Sequence, residues 1–392
     1  MSLLHYYDLS SLKECDLKRA KFGDNTVVRY EKTNKKQKTK DNTESTYGLC
    51  RSIITEKDGS IVSFSPPKSL SPNDFIDKYP DTTQIVATEF VEGTMINVFW
   101  DRYIENWVIA TRSTIYQETG IYSNKITFHD MFYDAAFENK LILDNLSHCY
   151  SYSFVLQHPN NRIVLPILKP QLYLIAIYSF EGNIVSSHDI TKFLAFRDTT
   201  VKFPAIYQLT SYTDFQERTK TLDYTYLGVV LTNLATGERT KFRNPNYENV
   251  RHLKGNQAKL QHQYLVLRKA GNIGEHLRYK PEDKQIFDFF RDQIHSFTQT
   301  LRDNYISCYI RKDRPLIEYS DEYRTHMFNL HLIYKNILKP QNQFLMFSNV
   351  VSYVNDMDPI LLIRSLNYDN KKETAQQPIF SQCGDRVSTA AE

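Results

Sequence analysis

The stretch ATEFVEGTMINVFWDRYIENWVIATR, residues 87–112, decides the fold class of this chain. It contains three short runs, ATEFVEG, MINVFWD and NWVIATR, in which apolar residues alternate with polar ones or continue without interruption. Both patterns are typical of β-strands, since successive side chains of a strand point to opposite faces of its sheet. The stretch therefore predicts consecutive strands of a mostly antiparallel sheet.

Similar runs extend this pattern on both sides. Upstream, CRSIIT and SIVSFS flank the sequence EKDG, in which Asp58 and Gly59 predict a tight hairpin turn. Downstream, YSYSFVLQ, NRIVLP and LYLIAIYSF read as further strands, and residues 128–146 form a helical stretch among them. We therefore predict the α+β class, with an antiparallel-sheet core in the N-terminal part.

After about Gly255 the pattern becomes helical. In PEDKQIFDFFRDQIHSFTQTL, residues 281–301, apolar residues recur at three- and four-residue steps, which predicts a helix packed by one face. Residues 326–338 and 344–366 predict further helices. We expect a sheet domain over 1–255 with a mobile polar loop at 34–45, a smaller α-helical C-terminal domain over 256–369, and a frayed tail over 370–392.

Composition limits the possible functions. With 48 Lys+Arg against 45 Asp+Glu, the formal charge is only +3, so any basic footprint for nucleic acid has to be local. Five scattered cysteines without CxxC spacing indicate neither a disulfide framework nor a zinc site, which suits a reducing compartment. No segment approaches the roughly 20 apolar residues of a membrane span. We expect a cytoplasmic protein without membrane contact.

Six short segments occur in order between Gly48 and Leu253. They are LCRS with PPK (49–52 and 66–68), TEFVEGT (88–94), ATRSTI (110–115), SFVLQHPNNRIVL (153–165), YLGVV (226–230) and TKFRN (240–244). In this order they resemble the phage-type single-strand RNA ligases, the tRNA-repairing branch of the covalent nucleotidyltransferases. The chain looks like a viral RNA ligase with degenerate motifs, and the resemblance implies an antiparallel, ATP-grasp-like ligase core.

The resemblance implies that three positions of the chemistry are altered. Counting back from Gly93 puts Glu92 at the family's aspartate position and Phe90 at that of its lysine nucleophile, and a phenyl ring cannot form lysyl-AMP. Val155 replaces the glutamate that binds ribose, and Leu227 replaces a glutamate that helps to hold the metal. We therefore expect no intact catalytic residue and no metal site.

The cationic positions of the family persist. Arg112 stands in for a lysine of the family, and Lys241 and Arg243 alternate along one predicted strand, so both should point to one face. Cationic side chains at these positions would suit phosphate groups. The predicted phosphate or RNA ligands are Arg51, Lys68, Arg112, Arg162, Lys241 and Arg243.

Three functions are compatible with these residues. The first is an RNA ligase-like protein that binds RNA or RNA ends, including tRNA-like ends, and has lost or weakened self-adenylylation. The second is an active ATP-dependent RNA ligase using ATP and Mg²⁺, in which Lys68 or Lys241 replaces the missing nucleophile. The third is a structural or assembly protein with protein partners that reuses the fold. A viral source would place it in the host cytoplasm or the virion.

Simpler interpretations stand beside these. Phe90, Val155 and Leu227 are also ordinary core residues, and a register slip of one would bring Glu89 into the site. We expect structural roles for His129, His148 and His158. His252, which stands near Arg251 and Lys254, could itself contact phosphate. In the C-terminal domain, RKDR (311–314) together with Tyr319, Tyr323 and Arg324 could form a patch facing tRNA.

Overall fold

The computed structural model describes residues 3–10, 17–30, 48–116, 126–254 and 259–368. The predicted loop at 34–45 and the predicted tail at 370–392 lie outside the described residues. The chain divides into two compact units, Met1–Arg251 and His252–Glu392. The first unit contains the strands and the second is helical, so the predicted α+β class with a helical C-terminal region is confirmed.

A seven-stranded antiparallel sheet forms the centre of the first unit, in the order β1-β12-β11-β10-β7-β8-β9. Its strands are β1 (Leu3–Asp8), β7 (Thr94–Asp101), β8 (Asn106–Ala110), β9 (Ile115–Tyr116), β10 (Ser151–Gln157), β11 (Gln171–Glu181) and β12 (Ile184–His188). Alternate residues of β7 are buried on opposite faces of this sheet. Ile96 and Val98 pack under a helix at Phe128–Glu138, whereas Phe99 packs on a second sheet.

That second sheet has four antiparallel strands in sequence order. They are β2 (Lys18–Phe22), β3 (Asn25–Arg29), β4 (Ile53–Thr55) and β5 (Ile61–Phe64). β4 and β5 form the predicted hairpin across Asp58 and Gly59, and Gly59 has a positive φ of 86°. The left-handed backbone at the turn is the reason for the glycine.

A third antiparallel sheet carries the candidate site, with strands in the order β13-β6-β14-β15. They are β6 (Ile85–Glu89), β13 (Ile206–Tyr207), β14 (Gly228–Asn233) and β15 (Arg239–Arg243). Helices α1 (Pro72–Lys78) and α3 (Tyr212–Thr221) cover one face through Phe75 and Phe215, while α2 is the Phe128–Glu138 helix described above. The opposite face carries Thr88, Val230 and Lys241, which are only partly buried.

The second unit is helical, and one further helix begins near the end of the first unit. These helices are α4 (Pro245–Lys254), α5 (Leu260–Ala270), α6 (Ile273–Tyr279), α7 (Lys284–Tyr305), α8 (Asp321–Ile333), α9 (Phe347–Asp356) and α10 (Pro359–Leu366). The predicted apolar face of α7 is buried at Ile294, Phe297 and Leu301. None of the helices in the described part of the chain is long and apolar enough to cross a bilayer.

Two local predictions were wrong. NRIVLP, residues 161–166, is not a strand: a 3-10 turn at Pro159–Asn161 leads into an irregular segment. Two of its backbone N–H groups, those of Val164 and Leu165, donate to a side chain instead of a neighbouring strand, as described below. Arg51 lies in a turn before β4 and not within a strand.

Candidate nucleic-acid interface

Strand β15 places three cations on the face of the third sheet that lies opposite helices α1 and α3. Its sequence RTKFR alternates basic and apolar or hydroxyl side chains, so Arg239, Lys241 and Arg243 point to one face while Thr240 and Phe242 are buried on the other. Lys241 Nζ lies 4.4 Å from the centre of the Phe90 ring, and the Arg243 guanidinium lies 5.3 Å from it. Two predicted phosphate ligands thus meet at the predicted nucleophile position.

A second group of cations surrounds Tyr30. The Arg112 guanidinium lies 4.6 Å from the Tyr30 ring centre, and Lys68 Nζ lies 5.7 Å from the same ring. Arg112 also donates hydrogen bonds to the main-chain oxygens of Arg51 (3.4 Å) and Tyr30 (3.3 Å). These bonds place Arg112 against the turn that carries Arg51, so the segments around 30, 51, 68 and 112 converge.

Arg239 connects the two groups, and the sequence analysis missed it. Its side chain is buried and donates to the main-chain oxygens of Pro67 (2.9 Å) and Pro66 (3.0 Å). The buried guanidinium therefore holds the PPK segment that presents Lys68. The available signal was its spacing, because Arg239 stands two residues before Lys241 on the same strand.

Few of the cations in these two groups are paired with a carboxylate. Together they are called the cluster: Arg51, Lys68, Arg112, Arg239, Lys241 and Arg243. Among the described residues, only Arg243 of these six forms an ion pair, with Glu248 at 2.6 Å. Burial, followed by the charges of Arg239, Arg51 and Arg243, lowers the pKa of Lys241 to about 6. Burial, followed by the charge of Arg51, lowers the pKa of Arg239 to about 10. Crowded cations of this kind favour an anionic ligand.

The three positions predicted to be altered carry apolar side chains. Val155 and Leu227 are buried, and Phe90 is held in place by its backbone N–H, which donates to the Gly228 carbonyl at 3.1 Å. None of the three side chains offers an oxygen to a hard cation. In the described ranges no three His, Cys, Asp or Glu side chains are grouped to hold a metal ion. The residues present therefore do not fit a Mg²⁺ site at these positions.

Glu92 has a structural role beside the cluster. Its buried carboxylate accepts hydrogen bonds from the backbone N–H groups of Val164 and Leu165, both at 3.0 Å. Gln157 donates to the Glu92 carbonyl at 2.8 Å. The next residue, Gly93, has a φ of +147°, and a Cβ there would lie 2.6 Å from Val155 Cγ1. Glu92 therefore anchors the segment that follows β10, and Gly93 allows the chain to pass close to β10 itself.

Glu92→Ala is expected to lower the free energy of unfolding by roughly 2–4 kcal/mol, because two buried N–H groups lose their acceptor. Glu92→Gln keeps one acceptor oxygen and should lose about half as much. Urea unfolding followed by circular dichroism measures both variants. An unchanged unfolding midpoint for Glu92→Ala would show that the carboxylate does not hold this segment.

The remaining residues predicted from the sequence form contacts outside the cluster. Arg162 follows β10, and its Nε donates to the Val164 carbonyl at 3.1 Å. His158 is buried and accepts from the Asn160 N–H at 3.1 Å, a capping contact that matches its predicted structural role. In the second unit, Arg314 lies 4.1 Å from the ring centre of buried Tyr319, and Arg324 pairs with Asp321.

The chain matches no protein-family model and no curated protein. Its structure is similar in part to solved RNA ligases. A variant of the Naegleria gruberi RNA ligase with AMP and Mn has 13% identity over 47% of this chain and 57% of that chain, with a TM-score of 0.38. Another variant, with ATP and Mn, has 12% identity over 56% and 68%, with a TM-score of 0.39.

An archaeal ATP-dependent RNA ligase has 9% identity over 94% of this chain and 78% of that chain, with a TM-score of 0.39. This chain spans little more than half the length of the first Naegleria structure. These identities and TM-scores describe a partial similarity in fold. The chemistry available to this chain depends on its own residues.

Proposed function

We propose that this chain is an RNA ligase-like protein that binds RNA through its phosphates in the cluster and has lost self-adenylylation. The proposal rests on the convergence of six cations. Within the described residues, only one of them forms an ion pair with a carboxylate. Closely spaced cations repel each other, so an arrangement like this is stabilised by the negative charge of a ligand. Successive phosphates of a nucleic acid supply that charge.

The loss of self-adenylylation is argued from position 90. Phe90 lies under Lys241 and Arg243, where the family resemblance expects the amine that attacks the α-phosphorus of ATP. A phenyl ring has no lone pair to form the nitrogen–phosphorus bond. Val155 and Leu227 remove two further carboxylates from the same site, so the cluster keeps its affinity for anions without the groups of the covalent step.

Incubation with α-labelled ATP and either Mg²⁺ or Mn²⁺, followed by denaturing electrophoresis, should give no covalently labelled protein. The physical reason is the absent amine at position 90. The same preparation should bind single-stranded RNA with an affinity that falls steeply with salt. A labelled band that disappears in a single lysine variant would contradict the proposal.

One observation favours a displaced nucleophile as the second candidate. Burial and the neighbouring arginines lower the pKa of Lys241 to about 6, and its amine lies 4.4 Å from the centre of the Phe90 ring. A neutral amine at this place is a competent nucleophile. In the labelling experiment, an adenylate lost in Lys241→Arg but kept in Lys68→Arg would establish this active ligase, with ATP and Mg²⁺ as cofactors.

The RNA class and the setting are also part of the proposal. We expect unpaired ends of tRNA-like molecules as ligands, with the helical second unit adding contacts through exposed Arg311 and its neighbours. Such a protein would act in the cytoplasm, in a host cell if its source is a virus, and could join a larger assembly. A scaffold without an RNA role would instead show no salt-sensitive RNA binding.

A further inference from the structure

Lys241 is the cation of the cluster with the least favourable surroundings. On its own strand it lies between Arg239 and Arg243, and Arg51 adds a third positive charge from the turn before β4. Its register partner on β14 is the apolar Val230, and its amine faces the Phe90 ring. Among the described residues, no carboxylate and no hydrogen-bond acceptor is bound to Nζ.

The neighbouring arginines differ from Lys241 in how they respond to crowding. A guanidinium keeps its proton at any physiological pH, whereas a lysine amine gives its proton up readily when it is buried near other cations. Arg239 is further stabilised as a cation by the carbonyls of Pro66 and Pro67. The repulsion inside the ligand-free cluster is therefore relieved at Lys241, which is neutral near pH 7.

We infer that Lys241 takes up a proton when a phosphate enters the cluster, so that RNA binding at this site is coupled to proton uptake. The inference rests on the proposed function, because it describes the same phosphate site. An anion within a few ångströms of Nζ favours the ammonium form and opposes the repulsion from Arg51, Arg239 and Arg243. The newly formed ammonium then contributes a contact that the free protein does not display.

The direction of the pH dependence follows from this coupling. Binding raises the pKa of Lys241 above its free value of about 6, so protons are taken up between that value and the pKa of the complex. Below about pH 6 the free amine already carries its proton, and affinity should not depend on this group. Above it, the dissociation constant should rise by up to roughly tenfold per pH unit, until the amine of the complex also titrates.

The test uses the full chain and a short oligoadenylate with hydroxyl ends, because neither its internal phosphodiesters nor its adenine bases titrate between pH 6 and 9. Calorimetry at pH 7.5 in two buffers of different ionisation enthalpy gives the number of protons taken up. We expect close to one proton and weaker binding as the pH rises from 6.5 to 8.5. Binding with no proton uptake and no such pH dependence would overturn the inference.

Two matched variants assign the effect. Lys241→Arg carries a permanent charge, so it should remove most of the pH dependence and bind more tightly than the wild type at pH 8.5. Lys220→Arg makes the same exchange at an exposed position on α3, outside the cluster, and should keep the wild-type pH dependence. Equal pH dependence in all three proteins would assign the proton to another group, such as a histidine, and overturn the inference.

The outcome is separable from that of the proposed function. If the chain binds no RNA at any pH, the proposed function fails. If it binds RNA with the expected salt dependence while proton uptake is absent, the phosphate site stands and only the role of Lys241 is lost.

Discussion

Charge reversal of Lys241 and Arg243 together is expected to weaken binding of single-stranded RNA by at least about a hundredfold at low salt. Both cations face Phe90 on the side of the third sheet that lies opposite helices α1 and α3, so two glutamates there would repel the phosphates that the cluster attracts. For a single strand, loss of two phosphate contacts should also reduce the slope of log affinity against log salt by about 1.4. Fluorescence anisotropy across a salt series measures both quantities.

The matched control is Arg218→Glu with Lys220→Glu on α3, which covers the opposite face of the same sheet. It makes the same change in net charge at two exposed positions. Its affinity and salt slope should stay close to those of the wild type. Similar losses in both double variants would mean that bulk charge attracts the RNA, and the cluster would lose its assigned role.

Phe90 has a physical rationale if the cluster functions as proposed, by binding anions without forming a covalent adduct. An aromatic face attracts cations through its quadrupole, and this ring faces both Lys241 and Arg243. A lysine at position 90 would instead add a seventh cation to a group that already depresses the pKa of Lys241. In the proposed function, Phe90 thus accounts both for the absent nucleophile and for less repulsion within the cluster.

The strands were predictable where the local pattern reports burial on one or both faces, as in β7 and β10. Their division among three sheets was not predictable, since the pairing of Glu89 with Val229 joins strands that lie far apart along the chain. The apolar run NRIVLP failed for a definite reason. Glu92 accepts hydrogen bonds from Val164 and Leu165 that a strand ladder would otherwise use.

The candidate site shows the same contrast. Alternation along β15 correctly predicted that Lys241 and Arg243 share a face, because both contact the Phe90 ring. Arg239 was missed because an arginine in a strand is usually a surface residue, and its buried contacts with two proline carbonyls depend on tertiary structure. The low pKa of Lys241 likewise arises from burial and from three arginines, one of which, Arg51, lies far away along the chain.

Gly228→Ala is expected to give the largest loss of stability, roughly 3–5 kcal/mol of unfolding free energy. Gly228 has a φ of +136°, and a Cβ there would lie 2.0 Å from the carbonyl oxygen of Phe242 on the paired strand. That oxygen is part of the backbone, so relief requires β14 and β15 to separate. Denaturant unfolding, followed by fluorescence and circular dichroism, measures the loss.

Gly182→Ala is the reference for a glycine in the left-handed region that has no steric clash. Gly182 also has a positive φ, +57°, but nothing lies within 4 Å of the added Cβ, so its loss should be only about 1–2 kcal/mol. Equal losses in the two variants would show that close packing at Gly228 is unimportant. A larger loss at Gly228 would show that its close approach to β15 requires a glycine. The same residue accepts the hydrogen bond from the Phe90 N–H.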